Sequence, residues 1–293
     1  MNLKNWLLAC RPKTLWAAVC PVLIGTSMAF ADGDFHLFSA LAAFTGALLI
    51  QIGTNFANDY YDFLKGADTA ERLGPIRATQ AGLIQPGLMK KGFIIAFGLA
   101  MLIGLYLVWR GGWVIVLIGS ISIFLGVLYT ATPWALAYTG LADFFVLIFF
   151  GPVAVGGTYY VQTLAITDAV LVAGLAPGLF SMAILTVNNL RDIEQDRKAG
   201  RKTLAVRFGR TFAKTEYVLA VLLACGTPLL VYACTTHKIG DYGLIACVTV
   251  LLSLPLLKTV LQNDAPEELN SILAKTGKLL LVFSLLFSIG WAL

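Results

Sequence analysis

Long apolar runs separated by short polar stretches recur along the whole chain. Each run reaches about 18 residues or more, which is enough to cross a hydrocarbon layer of roughly 30 Å as an α-helix. The pattern predicts about nine membrane-spanning helices, at residues 14–31, 37–57, 92–109, 112–130, 142–162, 168–189, 217–235, 242–261 and 277–292. We therefore expect an all-α, polytopic membrane protein, in which residues 1–293 form a single domain around a central cavity.

Composition agrees with this fold class. Hydrophobic residues make up 58% of the chain, charged residues only 13%, and the mean hydropathy is +0.81. Water-soluble domains carry roughly 25% charged residues, so the composition excludes an ordinary soluble fold. The five cysteines form no Cys-x-x-Cys pair and stand at no metal-ligand spacing from a histidine. We expect them to be free packing residues.

The basic residues are divided unevenly between the two sides of the predicted bundle. Because successive connections alternate between the sides, 19 of the 21 lysines and arginines fall on the side of the N-terminus, and only Arg110 and Lys238 fall on the other. The positive-inside rule then places the N-terminus, the long basic loops and the opening of the cavity in the cytoplasm. The first apolar segment lacks a cleavage site typical of a signal peptide, so we interpret it as a retained helix.

Two acidic clusters stand at helix ends on this basic side. In the first, Asn55, Asp59 and Asp62 follow the spacing i, i+4, i+7, so a continuing helix would stack them on one face. The second cluster has the spacing i, i+4, i+8 and consists of Asn188, Asp192 and Asp196. Four predicted spans separate the clusters, which brings both to the same side of the membrane. We expect them to face each other across the cavity.

Carboxylates gathered beside a low-dielectric medium require a nearby cation. Ion pairing with basic residues of the same loops would suffice for one cluster, whereas two matched clusters favour a divalent ion. Ligands that are all oxygen indicate a hard cation such as Mg²⁺, which binds one or two carboxylates together with substrate phosphates. The predicted metal ligands are Asp59, Asp62, Asp192 and Asp196. Among the basic residues we favour Arg77 and Lys202 as diphosphate contacts, because their loops begin at the acidic motifs.

The connection after the fourth predicted helix has a different character. It carries Tyr129, Tyr138 and Asp143 but no basic residue. Its aromatic residues are either ordinary interface anchors or, together with Asp143, part of a pocket for a planar aromatic acceptor. Glycine and proline at 149–160 indicate close helix packing or a bend. The two histidines, His36 and His237, fall in the loops opposite the acidic clusters, so neither is expected to act as a base there.

The paired motifs Asn58-Asp59-x-x-Asp62 and Asp192-x-x-x-Asp196, within nine helices, resemble the intramembrane aromatic prenyltransferase (UbiA-like) superfamily. Further segments resemble its 1,4-dihydroxy-2-naphthoate polyprenyltransferases, namely Gly66-Ala-Asp68, Gly74-Pro-Ile-Arg77, Tyr129-Thr130-x-x-Pro133 and 149–162. The Tyr-x-x-Lys element of the hydroxybenzoate enzymes is absent. Asp143 stands where the naphthoate enzymes commonly have glutamate.

This resemblance implies transfer of a polyprenyl chain from polyprenyl diphosphate to 1,4-dihydroxy-2-naphthoate, with loss of CO2 and diphosphate, to give demethylmenaquinol for menaquinone synthesis in a bacterial cytoplasmic membrane. It implies Mg²⁺ as the cofactor and membrane lipid, not nucleic acid, as the surroundings. The implied catalytic residues are Asp59, Asp62, Asp68, Asp192 and Asp196, and the implied substrate contacts are Asn55, Asn58, Arg77, Tyr129, Tyr138, Asp143, Asn188 and Lys202. The alternatives are another acceptor (4-hydroxybenzoate, haem or chlorin) or an ion-coupled transporter. A transporter predicts acids nearer the bilayer middle.

Overall fold

A computed structural model describes residues 2–66, 73–74, 76–131, 135–234 and 241–293. Within these ranges the regular structure is entirely helical. The helices are α1 (Leu3–Cys10), α2 (Trp16–Ala31), α3 (Leu37–Leu64), α4 (Pro86–Gly111), α5 (Trp113–Leu128), α6 (Leu136–Thr139), α7 (Ala142–Phe149), α8 (Pro152–Thr163), α9 (Asp168–Arg191), α10 (Ile193–Lys198), α11 (Leu204–Cys234), α12 (Thr249–Gln262) and α13 (Pro266–Ala292). Two 3₁₀ segments cover Pro12–Thr14 and Asp241–Val248. The predicted fold class is confirmed.

The number of membrane spans differs from the prediction. In the described residues seven helical segments are long and apolar enough to cross a membrane: Leu37–Leu64, Pro86–Gly111, Ala142–Thr163, Asp168–Arg191, Leu204–Cys234, Tyr242–Gln262 and Pro266–Ala292. An eighth span forms if Leu3–Thr14 and Trp16–Ala31, which are bent by 56°, cross together. The remaining predicted span corresponds to α5, which has only 16 residues. Nine full-length spans are therefore not confirmed.

Two hydrophobic cores support the two acid-bearing helices. The larger core surrounds α9, which packs against α2, α7, α8, α11 and α13. Its largest fully buried side chains include Phe180, Tyr217 and Phe283. A smaller core packs α3 on α4 through Phe56, Phe93 and their neighbours. The two acidic motifs are thus carried by separately packed parts of the bundle.

Glycines allow α9 to cross close to the junction of α7 and α8. Phe150 and Gly151 interrupt these helices just before Pro152. A Cβ atom added at Gly151 would lie 2.7 Å from the carbonyl oxygen of Gly174, and one added at Gly174 would lie 2.6 Å from the Cα atom of Pro152. Neither position can hold a side chain without a backbone shift. The close packing predicted for 149–160 is confirmed.

The end of the bundle opposite the acidic clusters has its own polar contacts. The guanidinium of Arg110 donates hydrogen bonds to the carbonyl oxygens of Val161 and Gln162 at the end of α8. His36 begins α3, where its Nδ1 accepts a hydrogen bond from the backbone N–H of Ser39. These residues stabilise helix ends. All five cysteines are free, as expected, whereas His237 lies outside the described residues.

Candidate active site

The first acidic cluster lies on one continuous helix. Helix α3 runs seven residues beyond its predicted end at residue 57, to Leu64. Asn55, Asp59 and Asp62 therefore lie on the same face, with exposed fractions of 4%, 2% and 1%. The predicted stacking is confirmed. Asn55 donates a hydrogen bond from Nδ2 to the carbonyl oxygen of Cys10, 3.0 Å away, which ties α3 to the end of α1.

Asp59 holds the loop that follows the first cluster. Its Oδ2 accepts a hydrogen bond from the backbone N–H of Ala78 at 3.0 Å, and its Oδ1 accepts one from the N–H of Thr79 at 3.1 Å. All three residues are buried. Hydrogen bonds from backbone donors to a buried carboxylate are among the stronger ones in proteins. Asp59 therefore anchors this loop as well as being a candidate ligand.

The anchored loop directs Arg77 onto the next acid of the helix. The Nη2 atom of Arg77 lies 2.8 Å from Oδ2 of Asp62, and only 7% of the arginine is exposed. The loop thus places the guanidinium of Arg77 directly beside the first acidic cluster, and its predicted contact with diphosphate stays a prediction.

The second cluster keeps its spacing across a helix break. Helix α9 ends at Arg191, and α10 begins at Ile193. The N–H of Asp192 still donates to the carbonyl oxygen of Asn188 at 3.1 Å, and the N–H of Asp196 donates to that of Asp192 at 2.8 Å. Asp192 and Asp196 are 7% and 4% exposed. The four-residue spacing therefore persists, and both acids are buried.

Arg191 organises this second cluster. Its Nε lies 2.7 Å from Oδ1 of Asp192, and its Nη2 donates to the other oxygen of that carboxylate and to Oδ1 of Asn188. Its Nη1 donates to Oδ1 of Asn270 at 2.6 Å, and Asn270 in turn donates to the carbonyl oxygen of Leu73 at 2.9 Å. Helix α13 therefore connects the two acidic regions. Arg191 was not predicted as a site residue, because it was counted only among the charges that set the membrane orientation. No local motif in the sequence points to Asn270.

Arg201 joins the two clusters directly. Its Nη2 lies 2.8 Å from Oδ1 of Asp62, and its Nη1 lies 3.2 Å from Oδ1 of Asp196. The predicted meeting of the two helix ends is confirmed. Lys202, the basic residue favoured from the sequence, is exposed, and its carbonyl oxygen accepts a hydrogen bond from Arg207. The structure brings Arg201 into the site in its place.

Burial and neighbouring charges have opposite effects on the pKa values of Asp196 and Arg201. Burial raises the pKa of Asp196 to about 6, although the neighbouring Arg201 lowers it. Burial lowers the pKa of Arg201, but Asp62 and Asp196 more than offset it and leave the pKa of the guanidinium above its usual value. A carboxylate with a raised pKa gains more from an additional cation than a solvated one does. Asp196 is therefore a favourable position for further positive charge.

An aromatic and polar wall lies beside the bridge. Nζ of Lys65 donates to the carbonyl oxygen of Thr130 and lies 4.8 Å from the centre of the Tyr138 ring. The guanidinium carbon of Arg201 is 5.8 Å from the same ring. The Thr130 hydroxyl donates to Oδ1 of Asn58 at 2.9 Å. Asn58 and Tyr138, both predicted substrate contacts, thus lie next to the ion-paired carboxylates.

Asp143 and Tyr129 extend the site deeper into the bundle. Asp143 is 3% exposed, and neither of its carboxylate oxygens has a hydrogen-bond partner within the described part of the chain. Tyr129 lies near enough to Arg201, Asp143 and Asp196 to interact electrostatically with all three. An unsatisfied buried carboxylate is costly to a folded protein. Asp143 is therefore suited to accept a hydrogen bond from a bound molecule.

The donor set fits a divalent ion that completes its coordination with substrate oxygens. Within the described residues no group of three or more His, Cys, Asp or Glu side chains is placed to hold a metal by itself. The candidate ligands are instead buried carboxylates with arginines between them. Such hard oxygen donors, few per ion, are typical of Mg²⁺ bound together with phosphates. Asp68, the remaining predicted acid, lies outside the described residues.

Known proteins resemble this chain in sequence and in fold. Residues 18–292 match the UbiA prenyltransferase family. The 1,4-dihydroxy-2-naphthoate octaprenyltransferase of Haemophilus influenzae is 35% identical over 99% of this chain and 96% of that protein. The Escherichia coli protein of the same name is 35% identical over 97% and 94%. A solved UbiA homolog from Archaeoglobus fulgidus, bound to DMAPP and Mg²⁺, has the same fold, with a TM-score of 0.65 and 16% identity over 99% of both chains.

Proposed function

Because the chain belongs to the UbiA prenyltransferase family, we propose that it transfers a polyprenyl chain from polyprenyl diphosphate to 1,4-dihydroxy-2-naphthoate. Diphosphate and CO2 leave, and demethylmenaquinol for menaquinone synthesis is the product. The names of the relatives that are 35% identical over nearly the whole chain support this acceptor. The chain is an integral membrane protein, and its described residues contain seven or eight candidate spans.

The observation that carries the proposal is the Asp62–Arg201–Asp196 bridge. It brings two buried acidic motifs, from separately packed helices, into one polar site at the end of the bundle. Diphosphate is a polyanion, so carboxylates repel it. A diphosphate site can contain carboxylates only if cations lie between them and the phosphate oxygens. The side chains of Arg77 and Lys65 lie at the same polar site and add positive charge to it. A transporter path would instead distribute such acids along the bundle.

Asp59, Asp62, Asp192 and Asp196 are the residues that would hold Mg²⁺, which supplies positive charge to stabilise the departing diphosphate. The side chains of Arg77 and Arg201 do the same from the protein, as preformed donors in a poorly hydrated site. Asn188 is held by Arg191 and orients the second cluster. Lys202 contacts the diphosphate from the exposed rim only if its side chain turns inward.

The acceptor lies between Tyr138, Tyr129 and Asp143 in this proposal. Tyr138 offers a ring face beside two cations, against which a planar naphthoate stacks. Asp143 accepts a hydrogen bond from a naphthol hydroxyl, which increases electron density at the ring carbon that attacks the allylic chain. Asn58, held by Thr130, borders the same space. The surrounding bundle excludes water, which would otherwise capture the allylic cation.

We further propose that residues 1–293 form one transmembrane prenyltransferase domain in the bacterial cytoplasmic membrane. The family match over 18–292 supports the single domain. The excess of lysine and arginine on the side of the acidic clusters supports an N-terminus and an active site that face the cytoplasm.

The direct test uses purified protein in lipid nanodiscs with Mg²⁺, polyprenyl diphosphates of several lengths and acceptor labelled with ¹³C in its ring carboxylate. We expect prenylated product and labelled CO2 in equal amounts, together with released diphosphate. Parallel reactions offer 4-hydroxybenzoate, haem and chlorin precursors, which should remain unprenylated. A product that retains the labelled carboxylate, or efficient prenylation of another acceptor, would contradict the proposal.

The acidic motifs are tested by two substitutions. Asp59→Ala and Asp192→Ala should each abolish turnover while the protein still inserts into the membrane, since both acids border the proposed metal site. Asp264→Ala is the matched control because this aspartate is about half exposed and, among the described residues, forms ion pairs with Arg210 and Lys214 at the surface. Turnover retained in both active-site variants would remove the metal-site argument.

A further inference from the structure

Arg201 lies between the two acidic motifs and forms ion pairs with both of them. Its two terminal nitrogens each contact a carboxylate from a different helix end, Asp62 on α3 and Asp196 on α10. Within the described residues, Arg77 forms an ion pair with Asp62 of the first cluster, and Arg191 forms one with Asp192 of the second. The guanidinium of Arg201 thus places a positive charge between two carboxylates that repel each other.

A divalent ion shared by the two motifs needs the same carboxylate oxygens. Asp62 already uses one oxygen for Arg201 and the other for Arg77. A metal ion can approach Asp62 and Asp196 together only if the Arg201 guanidinium moves away from them. Two cations cannot share this space without strong repulsion in a medium of low dielectric constant.

The backbone around Arg201 is suited to such a movement. The residue lies between the end of α10 at Lys198 and the start of α11 at Leu204. Gly200, directly before it, has a φ of +72°, and no described residue has an atom within 4 Å of a Cβ added there. The Arg201 side chain is 16% exposed, more than its partners Asp62 and Asp196 at 1% and 5%. Space is therefore available on the solvent side.

One donor of the guanidinium is also unused. Nε of Arg201 is buried and has no hydrogen-bond partner among the residues that the structure describes. A buried donor without a partner costs free energy, and a diphosphate oxygen beside the metal ion would satisfy it.

From these contacts we propose that Arg201 is a positioning residue that substitutes for the divalent ion. Before the ion binds, it holds Asp62 and Asp196 in register, and when the ion arrives it transfers its hydrogen bonds from the carboxylates to the diphosphate. The inference rests on the proposed function, because it requires a metal ion and a diphosphate at the same site.

Binding of Mn²⁺ without diphosphate, measured by electron paramagnetic resonance, tests the competition. Arg201→Gln removes the internal cation, so Mn²⁺ should bind at least about tenfold more tightly, as expected for the loss of competing charge-assisted hydrogen bonds. Arg197→Gln is the matched control, because Arg197 is 56% exposed, pairs with the exposed Glu194 and lies only four residues away. It removes the same formal charge without opening the bridge.

Binding of inorganic diphosphate in the presence of Mn²⁺ should show the opposite order. Arg201→Gln loses a diphosphate donor and should bind this probe about tenfold more weakly than Arg197→Gln. Equal Mn²⁺ affinities in the two variants, or equal diphosphate affinities, would overturn the inference. If the wild-type protein binds neither Mn²⁺ nor diphosphate, the proposed function itself fails, which is a distinguishable result.

Thermal unfolding in EDTA keeps the inference testable if Arg201→Gln folds poorly. The variant should unfold at a lower temperature than Arg197→Gln, since no cation then lies between Asp62 and Asp196, although Arg77 still pairs with Asp62. Saturating Mn²⁺ should raise its midpoint more than it raises that of the control. Equal increments in the two variants would show that Arg201 does not stand in for the ion.

Discussion

Substitution of Asp59 should affect the protein even without a metal, because its carboxylate anchors the loop that follows the first acidic cluster. Asp59→Asn keeps the size of the side chain but replaces one acceptor oxygen with an NH2 group. One of the two backbone donors, Ala78 or Thr79, then faces another donor and loses its partner. The remaining hydrogen bond changes from a charged to a neutral acceptor. We therefore expect the loop from residue 76 to residue 82 to open locally.

The magnitude follows from the number and type of hydrogen bonds lost. A hydrogen bond to a charged group contributes about 1.5–3 kcal/mol, and a neutral one about 1 kcal/mol. Losing one and weakening the other costs about 2–4 kcal/mol, which corresponds to amide exchange about 30- to 1,000-fold faster. Arg77, directly before Ala78, should lose its fixed position beside Asp62, so the Michaelis constant for polyprenyl diphosphate should also rise.

Hydrogen–deuterium exchange followed by mass spectrometry, on peptides that cover residues 76–84, measures this opening. The protein is kept in EDTA so that loss of a metal ligand cannot contribute to the difference. Asp34→Asn is the control, since Asp34 is an exposed aspartate at the opposite end of the bundle. Exchange of the loop at the wild-type rate in Asp59→Asn, with activity lost, would refute the anchoring argument and leave only a role in metal binding.

Two other substitutions test the surroundings of the site: Gly174→Ala tests the helix packing, and Asn270→Ala tests the hydrogen bonding. Gly174→Ala places a methyl group 2.6 Å from the Cα atom of Pro152, so it should lower the thermal midpoint through overpacking of about 1–3 kcal/mol. Gly98→Ala on α4, where no atom of the described residues lies within 4 Å of the added Cβ, should leave the midpoint unchanged or raise it, and equal effects would contradict the packing assignment. Asn270→Ala removes the hydrogen bond that Asn270 accepts from Arg191, beside the second acidic cluster, and the one that it donates to the carbonyl oxygen of Leu73 in the loop after the first. In steady-state kinetics it should raise the Michaelis constant for polyprenyl diphosphate several-fold more than it lowers kcat. Asn263→Ala, which loses only a bond to the preceding turn of its own helix, should do neither, and a fall in kcat alone for Asn270→Ala would argue against a positioning role.

Several features of the site follow from local chemistry and were predictable. Whether Asn55, Asp59 and Asp62 share a face depends only on helical periodicity, so their spacing was sufficient. The two acidic clusters lie on the same side of the membrane because an even number of spans separates them. The short helix α5 has 16 residues and counts as one of these spans when it crosses the membrane. The glycines near residue 151 indicated close packing for a similar local reason.

Apolar run length, helical spacing and the bias of basic residues thus determined the all-helical membrane fold, the two acidic helix ends and the class of ligand they suit, because each depends on short-range geometry or on transfer to lipid. Only the tertiary structure decided which cation serves each acid. Arg201 is 139 residues from Asp62 in the chain, and the turn at Gly200, rather than any difference in charge, brings it inward and leaves its neighbour Lys202 exposed. Asn270 lies 197 residues from its partner Leu73. Such contacts arise from the packing of separate helices, which no local pattern in the sequence records.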